Sequence, residues 1–238
     1  MWANSGVRVS ETRALTLPFL GLTAALWLAS FSAARAQVDE PDLAETQVAA
    51  ILERAEVMLK KGNPERAYRT IAPLSAVFLS SASQLYVHFW ELWRSATAIS
   101  ATAAVRLKGI VPRSEGSLGP TKELENAEKR LRELLDPDWL SKMKSEAGEG
   151  PQASIPGSAP PAFYASRHAE ALVALGRHTE AYSLLAPMLT NGTLSEPEAA
   201  AALASAAHAG GHTEVYEAAL KRCVTIAKQR AKQVCRRQ

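Results

Sequence analysis

The sequence predicts an all-α fold of stacked helical hairpins, and three observations carry that expectation. Gly176-Arg177-His178-Thr179-Glu180-Ala181-Tyr182 returns, thirty-four residues later, as Gly210-Gly211-His212-Thr213-Glu214-Val215-Tyr216. Upstream, Gly62 through Ala67-Tyr68 and Ala72-Pro73-Leu74 match Gly176 through Ala181-Tyr182 and Ala186-Pro187-Met188 at the same internal spacing. The composition is 47% hydrophobic but only 6% aromatic, with abundant alanine, which favours helices packed through small side chains over strands. A repeat of this period, built from helix, Gly-containing turn and helix, marks hairpins that stack in series.

Residues 1–36 read as a secretory leader. Arg8 and Arg13 precede an apolar run from Leu15 to Ala34 that ends in Ala34-Arg35-Ala36, the small-residue pattern of a cleavage site before Gln37. The expected destination is the bacterial periplasm or the exterior. The run approaches the roughly 20 residues that span a bilayer, so an uncleaved inner-membrane signal anchor is the alternative. The formal net charge of +3 is too small to argue for nucleic acid as a partner.

In the mature chain, Gln37–Leu43 is an acidic tether. From Ala44 to Lys61, Val48, Ile51, Leu52, Ala55, Val57, Met58 and Leu59 follow helical spacing. Gly62 ends that helix, Asn63 caps the next, and Pro64 takes its first position, where a missing N–H costs nothing. Pro73 should kink or shorten this second helix. Ser83–Lys108 is apolar and aromatic, with Leu85, Tyr86, Phe89, Trp90, Leu92 and Trp93 at three- and four-residue steps. It reads as a buried helix, since aromatic side chains at this spacing mostly supply packing area.

Gly109–Pro120 is a loop, and Thr121–Leu135 a charged helix with a narrow stripe of Leu124, Ala127, Leu131 and Leu134. Asp136-Pro137-Asp138 restarts the chain, and Glu146–Pro161 is a Gly-, Pro-, Ser- and Ala-rich linker. These features divide the chain into a leader (1–36), an N-terminal helical region (37–145) with one hairpin at 46–75, a linker (146–161) and a C-terminal hairpin pair with a basic tail (162–238). Within the pair, Ser195 and Glu198 have capping-box spacing.

Ala55, Gly62, Ala67, Ile71 and Leu74 fall where tetratricopeptide repeats place their small, turn and apolar residues, as do Ala169, Gly176, Ala181, Leu185 and Met188. A weaker third copy has Leu203, Gly210, Val215, Ala219 and Leu220. The chain thus resembles the tetratricopeptide family over 46–75 and 162 to about 225. The resemblance implies an α-solenoid whose inner groove is lined by the first helix of each repeat. Leu52, Glu56 and Lys60 are its groove candidates in the first copy, and Ser166, Glu170 and Ala174 in the second. Family members that clamp a terminal carboxylate use Lys, Asn and Arg there. Glu56 and Glu170 stand instead, so an apolar or basic segment of another protein is the expected occupant.

No constellation carries evident chemistry. His208 and His212 have zinc-like spacing, but Gly210 and Gly211 interrupt the helix that such spacing needs. There is no Gly-rich phosphate loop, no paired CxxC and no Gly-x-Ser-x-Gly elbow, so neither cofactor nor metal is expected. The expected role is a non-catalytic scaffold or adaptor in the cell envelope. The tail, with Lys221, Arg222, Lys228, Arg230, Lys232, Arg236 and Arg237, offers a second reading, an accessory subunit docked on anionic membrane. An envelope enzyme with no local motif is a third.

Cys223 and Cys235 leave two alternatives open. On one continuous helix they would stand about 18 Å apart, beyond the roughly 7 Å limit for bridging. Either the last helix breaks and they join, or Cys223 is a small core residue and Cys235 an exposed one.

Overall fold

The computed structural model describes residues 41–80, 90–112, 119–138 and 161–236. The leader, Leu85, Tyr86 and Phe89, most of the predicted linker, and Arg237 lie outside these residues. Among those described, every regular element is helical and no strand occurs. In chain order they are α1 (Pro41–Lys60), α2 (Pro64–Ser80), α3 (Trp90–Arg106), α4 (Pro120–Glu133), α5 (Pro161–Ala174), α6 (His178–Thr190), α7 (Pro197–Ala209) and α8 (Thr213–Ala227). A 3-10 turn (Lys228–Arg230) and the short α9 (Ala231–Val234) complete the order. No described helix is long and apolar enough to cross a membrane. The chain divides after Ala44, and Glu45–Gln238 forms one compact unit.

The turns form where glycine permits them. Gly62 takes φ +76°, its N–H bonds the Leu59 carbonyl, and the Asn63 N–H reaches back to Met58. This paired 5→2 and 6→1 closure satisfies the carbonyls a helix end leaves open. Gly176 repeats it at φ +77°, with bonds to Val173 from its own N–H and to Leu172 from that of Arg177. Pro64 starts α2 as expected. The helix runs on through Pro73 to Ser80 instead of stopping there, and α6 likewise runs through Pro187. Both prolines lie on exposed positions, so the carbonyls they leave unbonded face solvent.

The third turn departs from the repeat read off the sequence. Gly211, at φ +72°, takes the left-handed position, and Gly210 stays at φ −87°. The counterpart of Gly176 is therefore thirty-five residues on, and the two His-Thr-Glu stretches enter their helices one residue out of step. His178 is the first residue of α6, whereas Thr213 is the first of α8. With that shift, Leu185 and Met188 correspond to Leu220 and Cys223, and all four are buried. Two adjacent glycines let either one close the turn, and packing chooses the second.

The core confirms the small positions. Ala55, Ala67, Ala169 and Ala181 are fully buried, as are Ile71 and Leu185. Helix α7 is the extreme case, with Ala199, Ala200, Ala202, Ala204, Ala206 and Ala207 all buried. It packs against α5, α6 and α8 at once, and side chains without bulk let neighbours approach on several sides. Helix α3 plays that part upstream, packing on α2, α4 and α5 with Leu92, Trp93, Ile99 and Val105 buried. The aromatic-to-apolar stretch thus supplies core where it is described.

Helix α5 joins two apolar clusters. Tyr164 and Ala171 belong with α1–α4, and Ala169 and Leu172 with α6–α8.

The predicted capping box does not form. Glu196 is the N-cap of α7, with no side-chain cap bond, and Pro197 is its first residue; Glu198 pairs with Arg106 and Arg230 instead. At the other end, Lys228 takes φ +49° and breaks the last helix. The 3-10 turn and α9 then fold back, so Cys223 and Cys235 approach to 5.8 Å between Cα atoms and form a disulfide. Of the two alternatives left by the sequence, the broken helix is the one realised.

Candidate functional site

Four helices, α1, α3, α5 and α7, and the 3-10 turn after α8 converge on a set of charges that the apolar core would otherwise exclude. Arg106 ends the apolar run of α3 and forks onto Glu170 of α5, with Nε donating to Oε2 and Nη2 to Oε1, each at 3.0 Å. Nη2 also reaches Glu196 Oε2 at 3.2 Å, and Nη1 lies 3.7 Å from Glu198 Oε1. Arg167 of α5, only 1% exposed, donates through Nη2 to Glu56 of α1 at 2.6 Å and to Glu196 at 3.1 Å. Its guanidinium is covered by the Phe163 ring at 3.8 Å, whose face is attractive to a cation. Arg230 donates to Glu198 and to the Lys60 carbonyl.

Four carboxylates therefore meet three guanidinium groups, and Lys60 Nζ completes the balance 3.9 Å from Glu56. Burial pushes the Glu170 carboxyl up, and the parallel donors of Arg106 pull it back. The fork geometry is that of an ionised carboxylate. Burial also works against the charged form of Arg106, but Glu170, then Glu198 and Glu196, outweigh it and hold the proton more firmly than usual. For Glu196 burial is again the largest opposing effect, and Arg167 with Arg106 overcomes it, keeping the carboxyl below the usual range.

Beside this cluster an open cleft of about 490 Å³ lies between α3, α4, α5 and α7. Its apolar wall is Val105, Leu124, Val173, Ala174, Ala201 and Ala202, and its polar edge holds Arg106, Lys108, Glu170, Glu198 and Ser205. Such a surface can receive an extended chain on small side chains while presenting both signs of charge at one edge.

The structure sorts the six groove candidates. Glu170 and Ala174 line the cleft. Glu56 and Lys60 sit at the far side of the ion cluster. Leu52 is core, and Ser166 is buried with its hydroxyl donating to the Phe163 carbonyl at 2.8 Å; neither side chain faces outward. Of the basic tail, Arg222 donates to the Leu194 carbonyl at 2.9 Å and Arg230 enters the cluster, leaving Lys221, Lys228, Lys232 and Arg236 exposed.

Sequence reasoning passed over Arg106, Arg167, Glu196 and Glu198 as site residues. Arg106 and Arg167 each interrupt an apolar helical face, which was the available signal.

His168, His208 and His212 contact other side chains. His168 Nε2 is 2.9 Å from the buried Glu128, to which Arg177 also binds at 3.2 Å. His212 stacks on Tyr182 with ring centroids 4.3 Å apart, and His208 lies against Tyr216. Among the described residues no group of His, Cys, Asp and Glu is arranged to hold an ion. Comparison with protein-family models, with curated proteins and with solved structures finds no match to this chain.

Proposed function

We propose that the protein is an exported, tetratricopeptide-like helical scaffold that docks an extended segment of another protein without catalysis. The observation that carries this reading is the cleft: Ala174, Ala201, Ala202 and Ser205 present small side chains along α5 and α7, beside Val105 and Val173. A backbone can approach such a wall closely, while Arg106 and Lys108 beside Glu170 and Glu198 present both signs of charge to the segment. Helix hairpins that share buried small residues at matching positions give the wall its rigidity, so little ordering is needed on binding.

The test is site-specific photocrosslinking in envelope fractions. A crosslinker at Ala201 should capture a discrete partner, one at exposed Lys221 should not, and Ala202→Arg should abolish capture at Ala201. Equal capture at both positions, or capture indifferent to Ala202→Arg, would count against the cleft as the docking surface.

A further inference from the structure

The C-terminal strap holds one charged side chain in a place no local feature explains. After Lys228 breaks α8, the chain returns so that Cys235 bonds Cys223. Cys223 is fully buried among α6–α8, so the covalent anchor lies in the core. Between the two sulfurs Arg230 reaches across to the first hairpin. Its Nη1 donates to the Lys60 carbonyl and its Nη2 to Glu198. A Cβ built on Gly62 would lie 3.2 Å from Arg230 Nη2, so the turn after α1 is shaped closely around this guanidinium. The receiving site joins a carboxylate to the negative end of the α1 dipole, both suited to a cation.

Little else secures the strap. Its helix is four residues long, far too short to stand alone, and Lys228, Gln229, Lys232, Gln233 and Arg236 are exposed. Val234 is half-buried against the core. Cys235 is also half-buried, whereas Cys223 has no exposed surface, so Cys235 is the more accessible residue of the pair. Cys223 Sγ lies 3.2 Å from the Pro197 carbonyl oxygen, an acceptor for the S–H that reduction creates.

We propose that the strap is a redox-operated latch. Oxidised, it ties the C-terminus to the turn after α1 through Arg230. A dithiol reductant opens it: one thiolate attacks Cys235 Sγ, Cys223 leaves and takes a proton, and the second thiol displaces Cys235. Two electrons and two protons pass to the protein, and the reductant becomes a disulfide. Arg230 then withdraws, and the four carboxylates of the cluster face only Arg106, Arg167 and Lys60, one negative charge in excess. This inference does not rest on the docking role of the cleft, although Glu198 lines that cleft as well.

The experiment is amide hydrogen exchange on the full chain, oxidised and after dithiothreitol, with Ala165–Val173 as internal reference. Relative to that reference, reduction should speed exchange at least tenfold in residues 228–236 and at Gly62 and Asn63, while far-UV helicity holds. In oxidised protein Arg230→Ala should free the Gly62 and Asn63 amides without loosening the strap, and Arg230→Lys should largely preserve them. The double variant Cys223→Ser/Cys235→Ser should mimic the reduced state; if it does not fold, the dithiothreitol arm on the natural chain decides. Unchanged exchange at Gly62 and Asn63 on reduction overturns the latch. So does a loss of helicity, which would make the disulfide a brace for the whole fold.

Discussion

Replacing Arg106 by Met would remove the centre of the ion cluster while keeping much of the volume of its stem. The side chains of Arg106 and Glu170 are 12% and 6% exposed, so solvent screens this pair poorly. Glu196 would keep Arg167 at 3.1 Å, and Glu198 would keep Arg230; Glu170 would lose the fork that holds both its oxygens. Removing one partner of a buried pair costs about 3–5 kcal/mol, or roughly 6–20 °C in Tm for a chain of this size.

The loss should depend on pH in a stated direction. Burial already holds the Glu170 carboxyl high, and without its cation the folded-state pKa rises further above the unfolded value of about 4.3. A group raised in the folded state stabilises below its unfolded pKa, and that contribution is lost as pH rises through the folded one. Arg106→Met should therefore recover stability between pH 7 and about pH 5. Urea unfolding followed by far-UV circular dichroism at both pH values measures this. Arg106→Met/Glu170→Met should return to within about 1 kcal/mol of the natural chain, because a well-packed apolar pair replaces an ionic one at little net cost. A loss below about 1 kcal/mol at pH 7, the scale of exposed pairs, or no gain on acidification, would refute the assignment of Arg106 as a buried keystone.

Other contacts set four further outcomes. Glu196→Gln should flatten the acid limb of the stability curve: the depressed carboxyl stabilises above about pH 4.3, and that contribution disappears as pH falls through its folded value. Ala181→Leu, at a position with no exposed surface, should cost about 1–3 kcal/mol in urea by overpacking the α5–α6 hairpin. Gly176→Ala should cost about 1–2 kcal/mol from backbone conformation alone, since nothing stands within 4 Å of its added Cβ. Opening the disulfide should lower unfolding free energy by about 3 kcal/mol, the loop-closure value for a ring of this length, seen by comparing denaturation with and without reductant.

Much of the helical framework was legible because its signals are local. Gly62 and Gly176 are read as turns since only glycine adopts their φ without strain, and Pro64 opens a helix for want of an N–H. Ala55, Ala67, Ala169 and Ala181 were expected as small contact residues from the resemblance to tetratricopeptide repeats, and all four are buried. The third copy was misregistered by one residue because Gly210-Gly211 offers two equivalent turn positions, and only the packing of Leu220 and Cys223 selects between them. The capping box at Ser195 failed for a related reason: Pro197 starts α7, and Glu198 has stronger partners in Arg106 and Arg230.

The sequence by itself determined that this chain is helical and that it turns at Gly62 and Gly176, since each of these is settled within a few residues. Tertiary structure alone decided the charge pairing and the fate of the tail. Glu56 meets Arg167 across 111 positions, Arg106 meets Glu196 across 90, and Arg230 meets the Lys60 carbonyl across 170. A charged residue on a helix carries no mark of which distant helix will face it. Its partner is chosen when desolvation makes an unpaired charge too costly to bury, a condition that exists only once the helices have packed.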